Sequence, residues 1–527
     1  MSVGPCARRW RAIIYHQPFG NSPYSCLFRS PSLWQSGEGE TDVNKTPEMY
    51  QRVGRVLGPL VFVLMFATEQ QQETMSPEAW RVAAIGLWMA IWWATEAIPV
   101  FVTAFLPIIA FDPLGIASIK DAAAPYANPI IYLFLGGFIM ALTLERWNLH
   151  KRIALAILAR IGTDGRRLIG GFMLVCALLS MWMTNTSTTM MLLPIILSVS
   201  SVIQDNVRGL SDKERHDFQV AMLLGLAYSA SIGGLATLIG TPPNALFVGF
   251  MAENYGIEIS FARWMLIGVP ITVVMLPLAW LLLTRFIFKV NIPASEAVDR
   301  HLREMRVEMG PMTTPEKRVA VIFAAVIFSW MMRRPLMEWF GLTGVSDAGI
   351  VMTAAVLLFM LPSGDRTQPQ LMTWQDTGRL PWGVLILFGG GLSLAAAVSS
   401  SGLALWLGEG LAPLNAFGTA ALVIAAVTLV IFLTELTSNL ATTATLLPVV
   451  GAIAMQAGVP PIVLTVPITI AASCAFMLPV ATPPNAIVFA TGAISIPQMV
   501  RAGFVLNLLG VIMVTLISLF AAPWLLS

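Results

Sequence analysis

Long runs of this chain carry no charged residue, and this feature constrains its fold more than any other. Phe218 to Met251, Trp264 to Leu283 and Gly503 to Leu526 are uncharged, and each reaches the about 20 residues that an apolar helix needs to cross a bilayer. Only 11% of the 527 residues are charged, against roughly 25% in soluble domains. The sequence therefore predicts an all-α, polytopic protein that crosses a plasma membrane, such as a bacterial inner membrane, several times.

The positions of the basic residues orient the chain in the membrane. They concentrate near Arg52, near Arg166 and between residues 285 and 318, and such clusters are typical of cytoplasmic loops. Arg333 and Arg334 go against this pattern, because the predicted topology places them outside. The net charge of +2 is not gathered on one basic face, so nucleic acid is not expected as a partner.

Two polar clusters interrupt the apolar segments, and they nearly match. Residues 184–189 read Thr-Asn-Thr-Ser-Thr-Thr, residues 437–443 read Thr-Ser-Asn-Leu-Ala-Thr-Thr, and Leu-Leu-Pro follows each shortly afterwards. Further along, each cluster is followed by a Thr-Pro-Pro-Asn turn, at 241–244 and at 482–485. The first cluster is reached from the basic side of the membrane and the second from the charge-poor side. This pattern predicts an inverted-repeat transporter with its site at mid-membrane.

Segment length predicts how each cluster is folded. As one helix, residues 168–202 would be about 52 Å long, well beyond the about 30 Å of a hydrocarbon core. A re-entrant hairpin of two half-helices that meet at the polar cluster accounts for this length, and the same arithmetic applies to 417–455. The Pro-Pro turns must also break their helices. Irregular backbone at membrane depth indicates a cavity or a site buried in protein.

These features give a domain organisation with about 11 transmembrane helices and two re-entrant hairpins. Residues 1–50 are polar and are interpreted as a disordered cytoplasmic tail or a mis-assigned start. Residues 51–290 contain the first spans and repeat 1. Residues 291–318 form a cytoplasmic linker, and residues 319–527 form repeat 2.

The chemistry of the two polar clusters favours an anion bound together with cations. The ends of half-helices expose unpaired N–H groups that suit anions, while carbonyl and hydroxyl oxygens suit small cations such as sodium. Neither cluster contains Lys or Arg. An anion would therefore be held by amides and hydroxyls, with its charge offset by bound cations. Because neither species binds well alone, this arrangement predicts coupled symport.

Other interpretations of the same residues were weighed. A single Ser or Thr in a membrane helix often only bonds back to the preceding turn, but two matching clusters are not explained in that way. Glu435 and Glu96 are acids within apolar segments and therefore functional candidates, or structural acids near helix ends. The four histidines lie in the tail or in charged stretches, so a hydroxyl nucleophile would lack a base. The chain is not expected to be an enzyme.

At these motifs the chain resembles the divalent anion/sodium symporter family, the INDY-type di- and tricarboxylate transporters. The resemblance covers roughly residues 53–527 and rests on four ordered motifs, at 182–186, 240–244, 438–439 and 481–485. It implies a homodimer in which a transport domain moves, elevator-like, against a scaffold. It also implies Na⁺ as the coupling ion, with no other cofactor.

The resemblance further implies which residues bind. The implied substrate contacts are Thr184, Asn185, Thr186, Thr241, Pro242, Ser438, Asn439, Thr482 and Pro483. The ligands implied for a first sodium ion are Ser180, Thr184, Asn185 and Gly240. Those implied for a second are Thr434, Thr437, Asn439 and Ala481.

Two departures from the family motif bear on the substrate. Thr184 replaces a serine, and Leu440 replaces the last threonine of the second triplet. Because no cationic residue is present for a third carboxylate, the expected substrate is a C4-dicarboxylate such as succinate, malate or fumarate. The alternatives are transport of citrate or sulfate, carboxylate exchange, and a proton-coupled carrier that uses Glu435.

Overall fold

A computed structural model of the protein describes residues 49–207, 209–341, 343–411 and 418–520, which belong to one compact unit. Within these ranges the regular structure is helical, apart from one isolated bridge between Pro362 and Gln370. The prediction of an all-α fold is confirmed. Of the predicted tail, only Met49 and Tyr50 are described, and both lie in the first helix; the rest lies outside the described residues.

In the first part of the chain, helices end and begin again at both predicted polar sequences. In chain order they are α1 (Met49–Ala67), α2 (Pro77–Thr95), α3 (Val100–Thr103), α4 (Leu106–Ala110), α5 (Ile119–Ala123), α6 (Pro129–Arg146), α7 (Leu149–Ile161), α8 (Gly165–Ser180), α9 (Asn185–Asn206), α10 (Asp212–Gly234), α11 (Pro242–Tyr255), α12 (Phe261–Leu281) and α13 (Glu296–Glu308). A π-helical turn, Leu282–Ile287, extends α12.

The helices of the second half repeat the same order of long helix, hairpin and broken helix. They are α14 (Thr314–Met331), α15 (Arg333–Phe340), α16 (Asp347–Met360), α17 (Trp382–Ser400), α18 (Leu403–Leu411), α19 (Thr419–Leu433), α20 (Asn439–Gln456), α21 (Ile462–Ala471), α22 (Pro483–Phe489) and α23 (Ile496–Phe520). The pair α8–α9 extends a few residues beyond the predicted hairpin 168–202. The pair α19–α20 nearly coincides with 417–455.

Fewer helices could span a membrane by themselves than the eleven predicted. Among the described residues, 6 helices are long and apolar enough, or 7 if α14 and α15, which are bent by 78°, form one span. The polar breaks divide the chain into shorter helices, such as α11 and α21, which are too short to cross a bilayer by themselves. The multi-pass character is confirmed, and the number eleven stays a prediction.

The helices that precede the breaks lie at the centre of the molecule. Every residue of α10 from 220 to 234 is buried, as is every residue of α21. A helix that is apolar all round is either a membrane span or lies in the core of a protein, and the burial of these two places them in the core. Helix α10 packs against α8, α9, α12 and α22, whereas α21 packs against α19, α20 and α23. The broken ends of both helices are thereby held inside the protein.

Two glycine-rich sequences bring the matching halves into contact. A Cβ on Gly136 of α6 would overlap Val351, and one on Gly389 of α17 would overlap Tyr126. The side chain of Phe134 meets that of Phe388 with ring centroids 5.1 Å apart. The glycines therefore serve close packing of α6 and α17 with their neighbours, as is usual for small residues between membrane helices.

Arg333, which goes against the charge pattern, has an acidic partner. Its Nη1 lies 3.3 Å from Asp347 Oδ1, and both side chains are largely buried. Asp347 also accepts a hydrogen bond of 2.8 Å from the backbone N–H of Phe261. Pairing offsets the charge of Arg333, so this residue does not act as a free positive charge in setting the orientation.

Candidate functional site

The first polar cluster forms the junction of α8 and α9, here called tip 1 (residues 181–186). Thr184 has extended backbone and is the N-cap of α9: its hydroxyl accepts from Ser187 N–H at 3.2 Å and donates to Ser187 Oγ at 3.0 Å. The Thr184 hydroxyl is therefore already engaged in capping. The Thr186 hydroxyl, half-buried, makes no hydrogen bond with the described residues.

Oxygen atoms crowd together behind tip 1. Ser180 Oγ lies 2.6 Å from Asn185 Oδ1 and 2.7 Å from Ala230 O, but its single hydrogen can serve only one of them. The same end of the Asn185 amide lies 3.0 Å from Ala230 O and 3.3 Å from Gly240 O. Either the amide nitrogen turns inward to donate to these carbonyls, or a cation lies among the oxygens. Ser180, Asn185 and Gly240, predicted to share a cation, are thus neighbours.

The second polar cluster forms tip 2 (residues 435–440), between α19 and α20, and repeats this arrangement. Thr434 Oγ1 lies 2.8 Å from Asn439 Oδ1 and 2.9 Å from Ala472 O. One hydroxyl hydrogen again faces two acceptors. In each half, therefore, a hydroxyl and an Asn from the tip meet a backbone carbonyl from the broken helix.

The remaining predicted residues of tip 2 divide into engaged and unengaged hydroxyls. Thr437 Oγ1 donates to Leu433 O at 3.0 Å and lies 2.6 Å from Thr442 Oγ1, so it supports the hairpin locally. Ser438 is the N-cap residue of α20 but makes no capping bond with its side chain. Its half-buried hydroxyl has no partner among the described residues.

The Thr-Pro-Pro-Asn turns end the two breaks, residues 235–241 (break 1) and 472–482 (break 2). Thr241 is buried and precedes Pro242 at the start of α11, and Thr482 likewise precedes Pro483 at the start of α22. Thr482 accepts from the N–H of Asn485 at 3.3 Å. Ala481, predicted as a cation ligand through its carbonyl, is buried in break 2 beside Thr482.

Each hairpin packs against the broken helix of the other half. Helix α9 lies against α22, and α20 lies against α11. The site of a Cβ on Gly391 of α17 is bounded by Ala444 of α20 and Leu246 of α11. Both tips are therefore built into one interlocked group of helices, which sequence spacing could not establish.

Glu435 of tip 2 has a role that the sequence left open. Its carboxylate accepts from the backbone N–H groups of Phe476, Met477 and Leu478 at 2.7 to 3.1 Å, and from Asn507 Nδ2 at 2.7 Å. These donors tie break 2 and α23 to the tip. Glu96, the other acidic candidate, is an exposed residue that ends α2 in a left-handed conformation.

Sequence reasoning missed the partners that come from outside the motifs. Ala230 and Ala472 contribute backbone carbonyls, which no side-chain pattern can reveal. Asn507 carried a usable signal, because it is an asparagine in the middle of the apolar helix α23. Trp182 packs on Phe323, with ring centroids 5.4 Å apart, and so links tip 1 to α14. Within the described residues, no cluster of His, Cys, Asp and Glu could hold a metal ion.

Comparison of the sequence with known proteins agrees with this geometry. Residues 51–527 match the family model described as the sodium:sulfate symporter transmembrane region. The chain is 42% identical to the sodium-dependent dicarboxylate transporter SdcS of Staphylococcus saprophyticus over 483 residues, or 91% of this chain and 93% of the relative. It is 40% identical to SdcS of Staphylococcus aureus over 480 residues, or 90% and 91% of the two chains.

Solved structures share the fold at low sequence identity. The YdaH transporter of Alcanivorax borkumensis aligns with a TM-score of 0.53 and 16% identity, covering 90% of this chain and 99% of the other. MtrF of Neisseria gonorrhoeae aligns with a TM-score of 0.55 and 12% identity, covering 91% and 96%. Together with the spanning helices, these likenesses confirm a multi-pass protein of the plasma membrane. The chain belongs to the sodium:sulfate symporter family, whose members are transporters and not enzymes.

Proposed function

We propose that this protein imports dicarboxylates such as succinate, malate and fumarate, coupled to the entry of sodium. The observation that carries the proposal is the duplicated oxygen cluster: Ser180, Asn185 and Ala230 in one half, Thr434, Asn439 and Ala472 in the other. The named function of relatives at 40 to 42% identity supports the same conclusion.

The oxygen clusters favour sodium as the coupling ion. A hard cation with oxygen ligands at about 2.3–2.6 Å holds neighbouring ligands roughly 3.2–3.7 Å apart, and the Asn185 amide lies 3.3 Å from Gly240 O. The other separations in the two clusters, 2.6 to 3.0 Å, are those of hydrogen bonds, so these ligands must move apart to admit the ion. The ligands proposed for the first ion are Ser180, Thr184, Asn185 and Gly240, and those for the second are Thr434, Thr437, Asn439 and Ala481. For Thr184 and Thr437, whose hydroxyls are engaged, the backbone carbonyl is the proposed donor atom. Thr184 O also accepts from the Thr188 N–H at 3.0 Å, which leaves its second lone pair for an ion.

The hydroxyls that remain unengaged favour a substrate with two carboxylates. Thr186 on tip 1 and Ser438 on tip 2 each offer a hydroxyl, next to the N-terminus of α9 or α20. Helix N-termini attract anions through their unpaired N–H groups. One carboxylate at each tip, with Thr241, Pro242, Thr482 and Pro483 alongside, fits a short diacid.

Coupling follows from the shared residues. Asn185 and Asn439 each belong to a cation cluster and to a tip that contacts the anion, so ion binding fixes the side chain that the substrate needs. Bound sodium also offsets the negative charge of the diacid where no Lys or Arg is present. Each species then raises the affinity for the other by the same factor.

The larger organisation is proposed on the family resemblance. It includes the repeats at 51–290 and 319–527, the linker at 291–318, two re-entrant hairpins, a homodimer in the lipid bilayer, and elevator-type movement. Exchange, proton coupling, and citrate or sulfate transport remain alternatives. Both oxygens of Glu435 already accept hydrogen bonds, so adding a proton there would cost at least one of these bonds. This favours sodium over the proton.

Uptake of labelled succinate into proteoliposomes tests the proposal. We expect accumulation that requires an inward sodium gradient and competition by malate and fumarate. Uptake that is indifferent to sodium would indicate an exchanger or a proton-coupled carrier. Transport of citrate or sulfate while succinate is neither carried nor competing would refute the substrate assignment.

A further inference from the structure

The asparagines that end the two Thr-Pro-Pro-Asn turns have no part in the site described so far. Asn244 and Asn485 are completely buried. Each lies in the first turn of the helix that follows a break, α11 or α22. A buried amide at mid-membrane is costly unless its polar atoms are paired, so its contacts indicate what it does.

Both amides reach back across their breaks to the same relative positions. Asn244 Nδ2 donates to Thr237 O, seven residues earlier, at 2.8 Å and to Gly234 O, ten residues earlier, at 3.3 Å. Asn485 Nδ2 donates to Leu478 O at 3.0 Å and to Ala475 O at 3.3 Å, again seven and ten residues earlier. The two halves therefore use one device twice.

Three of the four carbonyls that these amides bind, those of Gly234, Thr237 and Ala475, have no other hydrogen-bond partner among the described residues, whereas Leu478 O also accepts from the Ala481 N–H at 3.2 Å. The last four C=O groups of a helix have no partner within it, and α10 ends at Gly234, at the start of break 1. An Asn side chain has two N–H donors. Asn244 therefore pairs one carbonyl at the end of α10 and one inside break 1, and Asn485 pairs two carbonyls inside break 2. The amide on the helix that follows each break thereby fixes the backbone conformation of that break.

The fixed segments are those that carry the cation ligands. Gly240 of break 1 faces the Asn185 amide, and a Cβ on Gly234 would overlap Asn185 Oδ1. The carbonyls of Gly234 and Thr237 therefore bond to Asn244, while the carbonyl of Gly240 faces Asn185. In addition, Asn244 Oδ1 and Asn485 Oδ1 are buried and have no hydrogen-bond partner in the described part of the chain. Buried amide oxygens are usually paired in proteins, so each of these two is an acceptor that a cation or a water could use.

We propose that Asn244 and Asn485 are positioning residues for the two cation sites, one for each ion. Each amide holds its break so that the carbonyls of Gly240 and Ala481 are presented to sodium at the distance that binding needs. The proposal rests on the sodium coupling proposed above. It predicts that loss of either amide weakens sodium binding while leaving the transport step intact.

The test measures the sodium dependence of succinate uptake for Asn244→Leu and Asn485→Leu. Leucine has a similar size but no donor, so the sodium concentration for half-maximal uptake should rise about tenfold, the equivalent of one lost hydrogen bond to a buried carbonyl. The maximal rate at saturating sodium should stay within about twofold. If the sites are separate, the double variant should show the product of the two fold-changes.

Asn254→Leu is the matched control, because Asn254 lies on the same helix, α11, and its amide bonds only to Phe250 O, four residues earlier, at 3.1 Å. The sodium concentration for half-maximal uptake should be unchanged in this variant. The milder Asn244→Ser and Asn485→Ser, which cannot reach both carbonyls, serve if the leucine variants fail to insert in the membrane.

The outcomes separate the two proposals. Wild-type uptake that ignores sodium refutes the proposed function. If wild-type uptake requires sodium, an unchanged half-saturation concentration in these variants overturns the positioning role. So does a fall in the maximal rate with no shift in the sodium curve, because a purely structural residue would give that result.

Discussion

The two tips share the same geometry but differ in charge at the residue after the shared hydroxyl. In tip 1 this residue is Met181, whose backbone carbonyl accepts from the Thr237 hydroxyl. In tip 2 it is Glu435, whose carboxylate accepts from three backbone N–H groups of break 2. An inverted repeat can therefore preserve the positions of the ligands while stabilising its two halves by different means.

The backbone of each break explains the difference. In break 1 the N–H groups of Leu235 and Ala236 bond to carbonyls of the helix that has just ended. In break 2 the amides of residues 476–478 bond instead to Glu435. A carboxylate accepts several such bonds at once, but it adds a negative charge to one half only. We therefore expect the two cation sites to differ in affinity, with the stronger one in the second half.

The largest expected effect comes from the residue that the two tips have in common. Asn185→Ala and Asn439→Ala should each abolish sodium-driven succinate uptake while leaving the protein in the membrane, because each removes a contact to both an ion and the substrate. Uptake and surface labelling of the two variants check this. Near-normal transport by either variant would show that its tip is not part of the site.

The next largest effect is expected at Glu435, a residue of tip 2 that has no acidic counterpart in tip 1. Glu435→Gln replaces an acceptor by a group with N–H donors that faces other N–H donors, and should lower the free energy of unfolding by about 3 kcal/mol. Uptake should fall about tenfold or more at physiological sodium. Thermal unfolding in detergent and a sodium titration provide the measurements.

Met181→Leu is the matched change in tip 1. It conserves volume and removes no hydrogen bond, so the cost should stay below about 1.5 kcal/mol. If Glu435→Gln and Met181→Leu changed stability and uptake by the same amount, the negative charge of Glu435 would not contribute to function.

The two breaks also differ in exposure, which bears on the side from which the site is open. All of break 1 is buried, including Ile239 at 5% exposure, whereas Val480 of break 2 is 78% exposed. Helix α23, which comes after break 2 and α22, meets α10 where Gln498 contacts His216. Break 2 is therefore the more exposed of the two breaks.

Cysteine labelling tests this difference. In a background with Cys6 and Cys26 replaced by Ser, Val480→Cys should react with a water-soluble thiol reagent at least about tenfold faster than Ile239→Cys, because burial limits access. Inside-out vesicles present the expected face. If Val480→Cys does not react from that side, this residue faces lipid and not the water-filled entrance.

The smallest effect concerns a hydroxyl that tip 1 has and tip 2 lacks. Tip 1 has Thr186, whereas tip 2 has Leu440, which is 6% exposed. Leu440→Thr would add a donor to tip 2 and should lower the KM for succinate by about threefold, the equivalent of a weak hydrogen bond. Competition curves for succinate, citrate and sulfate measure it. An unchanged preference would place position 440 outside the substrate contacts.

The parts of the site that could be predicted from the sequence are those formed by side chains. Hydroxyls and amides at 184–186 and 438–439 stand out against apolar surroundings, and the proline turns mark the breaks. The carbonyls of Ala230 and Ala472 could not be predicted, because every residue has a backbone carbonyl and the residue type does not indicate which one is a ligand. The partners of Glu435 and the packing of α9 on α22 arise from contacts between residues far apart in the chain, which a linear pattern does not contain.

The central claim is that the two tips hold one diacid together with their own cations. A cryo-electron microscopy structure with sodium and succinate tests it most directly. It should show the carboxylates of one succinate at Thr186 and Ser438, and an ion beside Asn185 and another beside Asn439. A succinate bound to one tip alone, or the two asparagines facing lipid, would contradict it.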